Sequence, residues 1–237
     1  MTIYSDIELE DAIKSGDIIV HPLRNDAIRG SSIDVSLGEW FYRTDQLINQ
    51  AGYNPFDKED VKRYFQLNRA ITHLEWSKEN KGIKWSGIPD NHPIIVLAPG
   101  ERILGHTHEF IGIRSSWTAD VKYEGCFQGT TWMKGRSTWG RNGIAVCLDA
   151  GHGDPNYFNR WTCEIYNFNK EQVPLPVGER IAQIIFAHTG PVQVPYQSNG
   201  KYQSEDSLKE IIANWKPEDM LPKAWKDERR LPLSTDL

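Results

Sequence analysis

The sequence predicts a mainly β fold, a distorted barrel or jelly-roll, with short helices, an inserted segment and a helical C-terminal tail. Three observations lead there. Short apolar runs recur along the chain with turn residues between them: DIIVHP, SSIDVSLG, PIIVLAPG, ERILGHT, NGIAVCLDAG, RWTCEIYNF, ERIAQIIFAH and PVQVPY. Many short strands divided by Gly and Pro close into barrels or double-sheet jelly-rolls. At 237 residues with 39% hydrophobic content, the chain is long enough to bury roughly 70 to 75% of its unfolded surface without help from metals or disulfides. The three cysteines, Cys126, Cys147 and Cys163, are odd in number and 21 and 16 residues apart, which predicts reduced thiols rather than a disulfide framework.

The elements follow in chain order. Ser5 and Glu8 form a capping-box pattern, and Ile7, Ala12 and Ile13 ahead of Gly16 predict an amphipathic helix over 6–15. In SSIDVSLG, Ile33, Val35 and Leu37 alternate with polar residues, the period of a half-buried strand. Residues 45–92 break the strand pattern and read as an insertion or lid, with a helix from Lys58 to Ala70. From Ser204 the chain turns helical and charged, then Pro-interrupted. The expected division is a domain over 1–203 and a tail over 204–237.

Composition excludes several classes. With 27 Lys and Arg against 32 Asp and Glu, the net charge is -5, and duplex-DNA binding leans on a surplus of the opposite sign. No apolar run approaches the roughly 20 residues of a membrane span, and the polar, acidic start MTIYSDIELED does not read as a signal peptide. A cytoplasmic location is expected. Nine Trp, nine Tyr and eight Phe fit an aromatic core or sites that stack planar ligands.

Two stretches could carry chemistry. No carboxylate occurs from Gly125 to Leu148, where Lys134, Arg136 and Arg141 stand beside Ser137, Thr138, Gly135 and Gly140. Small residues let backbone amides approach an anion and guanidinium forks match phosphate oxygens; a polyphosphate cradle and a solvated basic loop both fit. Next comes AVCLDAGHGDPNYFNRWTCEIYN, with Asp154 in a glycine-rich turn. Glu164 lies in a strand where Trp161, Cys163 and Ile165 alternate against Thr162, Glu164 and Tyr166. A carboxylate on a strand is ordinarily its solvent face, but one so close after a phosphate-like site is placed to act as a general base. His73 and Glu75 form H-x-E without the P-C-x-x-C of zinc deaminases. His106 and His108 lack a clear third ligand and read as structural.

In these stretches the chain resembles the dCTP deaminases, which share a trimeric β-barrel with the dUTP diphosphatases. The matching segments are SDIELEDAIKSGDIIVHP, SSIDVSLGEWF, VLAPGERILGHT, KGRSTWGRNGI, DAGHGDPNYFNRWTCEIYN, VGERIAQIIF and VPYQSNGKYQ, in family order. The resemblance implies a dUTPase-like fold and hydrolytic deamination of dCTP, or a related cytosine deoxynucleotide, to dUTP and ammonia without zinc. It makes Glu164 the group that activates water and shuttles protons, with Arg141 and Ser137 as its water-orienting and phosphate-side partners. Lys134 belongs to the cradle, and Arg136, Ser137 and Thr138 match the phosphate-binding stretch. Ala150 and Gly151 match the nucleobase loop, Asp154 the residue near the deoxyribose, and Tyr196, Lys201 and Tyr202 the segment that closes over the triphosphate. Mg2+ would arrive with the triphosphate, and the enzyme would be a homotrimer with sites between subunits.

The diphosphatases carry an apolar residue at the place of Glu164, so the resemblance leans to deamination. Ala150-Gly151 with Thr162 resembles the bifunctional branch that carries dCTP on to dUMP. A dUTP diphosphatase and a nucleotide-binding regulator without turnover are the other readings. Asn156 and Asn159 stand where the family has glycine, Gly153 replaces an apolar residue, and Ser204-Glu205-Asp206 interrupts the closing segment. Neither 45–92 nor the residues after 206 match a family segment.

Overall fold

The structure is a computed structural model that describes residues 2–44, 52–114, 129–148, 150–190, 192, 195–196, 200–203 and 205–227. Cys126, half of PVQVPY, the start of the 45–92 segment and the last ten residues of the tail lie outside the described residues.

Helix α1 (Asp6–Ser15) forms where the sequence predicts it, between the Ser5–Glu8 capping box and Gly16, whose φ of 84° ends it. Its core contacts differ from expectation: Leu9 and Ala12 are buried and Ile7 faces solvent. The chain continues through β1 (Ile18–His21), β2 (Ile28–Arg29), β3 (Ser32–Ser36) and β4 (Trp40–Thr44). The expected helix over Lys58–Ala70 is shorter, α2 (Lys58–Tyr64) giving way to strand β5 (Phe65–Arg69). The break comes from tertiary pairing, because β5 hydrogen-bonds along β4 with Trp40 opposite Arg69 and Thr44 opposite Phe65. Strand β6 (Ile71–Thr72), helix α3 (His73–Glu79) and strands β7 (Pro93–Leu97) and β8 (Arg102–Ile113) follow. Then come β9 (Gly129–Gly135), α4 (Ser137–Arg141), β10 (Ile144–Ala145), β11 (His152–Gly153), β12 (Phe158–Asn167), β13 (Val173–Pro176), β14 (Arg180–His188) and the tail helix α5 (Leu208–Asn214).

Among the described residues the strands make three sheets rather than one closed ring. One runs β10-β12-β8-β4-β5 with β1 also on β8; another runs β11-β9-β14-β3-β2; a small one runs β13-β7-β6. The two larger sheets share the main core, which joins Ile33, Val35, Met133 and Ile184 of one to Ile103, Ile111, Trp161 and Ile165 of the other. Strand β3 departs from the half-buried expectation and is buried on both sides. Its polar side chains have partners instead of water: Asp34 takes Arg136 and Arg180, and Ser36 donates to Glu109 at 2.5 Å.

The segment 45–92, expected as an insertion, and the residues after 204 pack into this body. Val61 and Phe65 share one apolar cluster with Tyr42, Leu104, Met220 and Leu221. Ile211 joins Ile19, Phe110 and Phe158, with Trp215 packed against both clusters. Among the described residues no helix is long and apolar enough to cross a membrane.

Candidate active site

Strand β12 alternates as its sequence predicts. Trp161, Cys163 and Ile165 are buried in the main core, while Arg160, Thr162, Glu164 and Tyr166 are half-buried on the other face. Antiparallel register puts Leu104 opposite Glu164 and Arg102 opposite Tyr166. On this face opens a cavity of about 700 Å3, a volume in the range of small-molecule sites.

Six parts of the chain wall it, β8 among them with Arg102 and Leu104. Strand β12 gives Arg160, Thr162 and Glu164, and the turn before it gives Ala150, His152 and Asp154. Tyr196 and Tyr202 come from the segment after β14. Tyr53 and Phe65 come from the insertion, and Trp215, Asp219 and Met220 from the tail.

Three buried side-chain atoms among the described residues have no hydrogen-bond partner: Tyr53 Oη, Arg160 Nε and Glu164 Oε2. All three residues line this cavity. An unpaired buried polar atom costs about 1–3 kcal/mol, so three around one hollow mark a surface shaped to receive polar groups of a ligand. Burial raises the pKa of the Glu164 carboxyl above its ordinary value, against the lowering effects of its own backbone amide and of Arg102. A carboxyl that binds its proton more tightly than an exposed one suits a group that must serve as acid as well as base.

The rim is held by hydrogen bonds within the chain. Asn156 adopts the left-handed φ of 72°, and its Nδ2 donates to Tyr196 O at 3.0 Å. Asn159 is extended; its Nδ2 donates to Tyr202 O at 2.8 Å. Gln203 accepts from Phe158 N at 2.9 Å, and Tyr202 N donates to Tyr196 Oη at 2.9 Å. Gly153 is required sterically, since a Cβ there would fall 2.2 Å from Thr131 Oγ1 and 2.6 Å from the Trp161 ring. Trp161 thus fills the room of the apolar side chain expected at 153. Asp154 stands exposed with His152 Nε2 at 3.2 Å from its Oδ1.

The basic loop lies elsewhere. Lys134, Ser137, Thr138 and Arg141 are exposed along the end of β9 and α4, and with Arg136 they are absent from the cavity wall. Arg136 Nη1 is 2.5 Å from Oδ2 of Asp34. Gly151 also stays off the wall, its carbonyl accepting from Met133 N at 2.7 Å. Lys201 pairs with Asp227 and lines a second cavity of about 270 Å3. Glu205 and Asp206 line neither cavity, because the chain turns into α5. The structure therefore brings Ala150, Asp154, Glu164, Tyr196 and Tyr202 together and leaves the cradle residues outside that group. Sequence reasoning missed Tyr53, Arg102, Arg160 and Trp215; for Arg160 the signal was present, since it shares the alternate face with Thr162 and Glu164.

Residues 3–189 match the family model described as dCTP deaminase-like. The chain belongs to the dCTP deaminase-like family. Among its relatives, the dUMP-forming dCTP deaminase of Methanobrevibacter smithii is 28% identical over 210 residues, 86% of this chain and 92% of the relative. The dUMP-forming dCTP deaminase of Methanothermobacter thermautotrophicus is 31% identical over 199 residues, covering 83% and 84%. The dCTP deaminase of Halorubrum lacusprofundi is 29% identical over 209 residues, covering 86% and 87%. The crystal structure of 2'-deoxycytidine 5'-triphosphate deaminase from Agrobacterium tumefaciens superposes with a TM-score of 0.50 at 14% identity, over 78% of this chain and 48% of that one. The mainly β fold of this dCTP deaminase-like chain is thus the expected one, and the family match stops before Tyr196, Lys201, Tyr202 and the tail.

Proposed function

We propose that this protein deaminates dCTP hydrolytically, with Glu164 as the proton-transferring group. The observation that carries this is the half-buried Glu164 carboxyl, raised in pKa and unpartnered at Oε2, on the wall of the main cavity. Water adds to C4 of the cytosine while Glu164 takes its proton; the carboxyl then returns a proton to the departing amine, and dCTP plus water becomes dUTP plus ammonia. One group that accepts and then donates is the requirement, and a desolvated glutamate meets it.

Ser137 and Arg141 orient the water and hold the phosphate side, with Lys134, Arg136 and Thr138 beside them. Their position off the cavity wall of their own chain supports a site completed by a neighbour's loop in a homotrimer. No three His, Cys, Asp or Glu side chains converge among the described residues, so Mg2+ would be held chiefly by the substrate's phosphate oxygens and water, as suits that ion. Its part is to neutralise phosphate charge during binding.

A second reading has its own support. Asp154 lies exposed on the same wall with His152 against it, a placement suited to activating water for a phosphoanhydride, and several relatives are named dUMP-forming. Incubation with dCTP, dUTP and dCMP plus Mg2+ separates the readings. Ammonia with dUTP marks the deaminase, and dUMP with pyrophosphate the bifunctional enzyme. Tight nucleotide binding without any product would move the protein to a regulatory role.

A further inference from the structure

The guanidinium of Arg160 is an unusual cation. Its Cζ lies 4.8 Å from the Phe110 ring centroid and 4.5 Å from that of Trp215, between a strand residue and a tail residue. Its Nε is buried without a partner, and none of the ion pairs among the described residues includes it. The carboxylates that bear on it are committed elsewhere: Glu109 accepts from Ser36 N and Oγ, and Glu39 pairs with Arg69. Stacking explains its position, but a half-buried charge without a counter-ion calls for an anion.

The second cavity begins beside it. The two hollows share Asn159, Tyr202, Trp215 and Asp219, and the smaller one is also lined by Lys201, Lys223 and Lys226. Lys223 is 14% exposed at its side chain, with Nζ 3.7 Å from Asp219 Oδ1 and 5.4 Å from the Tyr202 ring. The second cavity carries three lysines against Asp219 on its wall, with Asp227 paired to Lys201, which leaves an excess of positive charge there. Glu164 and Arg160 lie on one face of β12, four residues and so roughly 13 Å apart at strand spacing. A nucleotide with its base at Glu164 spans that distance with its phosphates.

We propose that Arg160, with Lys223 and Lys226 of the tail, forms a niche for the distal phosphates of a nucleotide whose base lies at Glu164. This rests on the nucleotide reading and adds residues outside the loop and closing segment named above; Lys223 and Lys226 lie beyond the family match. The tail then contributes to substrate binding as well as to the core.

The test compares dCTP with dCMP in the full-length protein bearing Arg160→Gln, Arg160→Lys or Lys223→Met. In Arg160→Gln and Lys223→Met, KM for dCTP rises about tenfold, KM for dCMP changes less than about twofold and kcat holds within about twofold, because only distal phosphates lose a charged partner. Arg160→Lys recovers part of the loss, which a purely stacking role would not give. Equal shifts for both nucleotides, or no shift in either variant, overturns the niche. Lys223→Met guards against misfolding, because Lys223 lies in the short tail and outside every apolar cluster described. Calorimetric titration with inorganic tripolyphosphate gives a readout free of turnover: the wild type binds it and both charge-removing variants bind it about tenfold more weakly. If the wild type turns over neither nucleotide, the deaminase reading fails, and tripolyphosphate binding alone decides the niche.

Discussion

Arg136 Nη1 lies 2.5 Å from Oδ2 of Asp34, and the same oxygen takes Arg180 Nη1 at 3.0 Å. Asp34 is 4% exposed, so this arginine anchors the basic loop to β3 before any phosphate arrives. Arg136→Ala should lower stability by about 2–3 kcal/mol, since it leaves a buried carboxylate half paired. Arg141→Ala, at an exposed position, should change the unfolding free energy by no more than about 0.5 kcal/mol while strongly reducing deamination. Chemical denaturation alongside an ammonia assay checks both.

Glu164→Gln should reduce ammonia release by at least about a hundredfold and leave dCTP affinity within a few fold, because shape is kept and the exchangeable proton is lost. Near-normal turnover would remove Glu164 from the chemistry.

The raised Glu164 pKa also fixes the sign of a stability effect. Burial lifts the folded value above the ordinary 4.5, so the folded state holds this proton more tightly than the unfolded state. The contribution is fully present below 4.5 and is lost as pH rises through the folded value. Glu164→Gln should therefore have the higher melting temperature at neutral pH, with the gap closing on acidification towards 4.5. Parallel melting curves across pH 4 to 8 read this directly.

Tyr53→Phe removes a buried hydroxyl that has no partner. Stability should hold or rise slightly, while KM for the nucleotide should rise severalfold if that hydroxyl meets the ligand. A fall in melting temperature with KM unchanged would show it to be a packing residue only.

A site shared between subunits predicts complementation. Glu164→Gln and Arg141→Ala, each strongly impaired alone, should recover about a quarter of wild-type activity when co-assembled in equal amounts, because one neighbour pair in four combines an intact Glu164 with an intact Arg141. Light scattering should report a trimer. An active monomer would contradict the arrangement.

The strands, the first helix and Glu164 were legible because each has a local signature: Gly and Pro punctuation, a capping box, an alternating run. Phe65–Arg69 was not. Val61, Tyr64 and Phe65 carry helical spacing with no breaker after them, and only pairing with the distant β4 turns the chain extended. The wall residues Tyr53, Trp215 and Met220 were hidden for a related reason. They come from segments far apart in sequence that meet only after folding, and the tail lies beyond the family match. Leu208, Ile211 and Trp215 do keep a helical stripe, which marked the tail as helical without naming the surface it covers.

Val61 and Phe65 occupy one cluster with Met220 and Leu221, so each added segment shields the other's greasy side. Truncating the tail would therefore leave Val61 and Phe65 facing water, and the body that remained would carry a sticky patch.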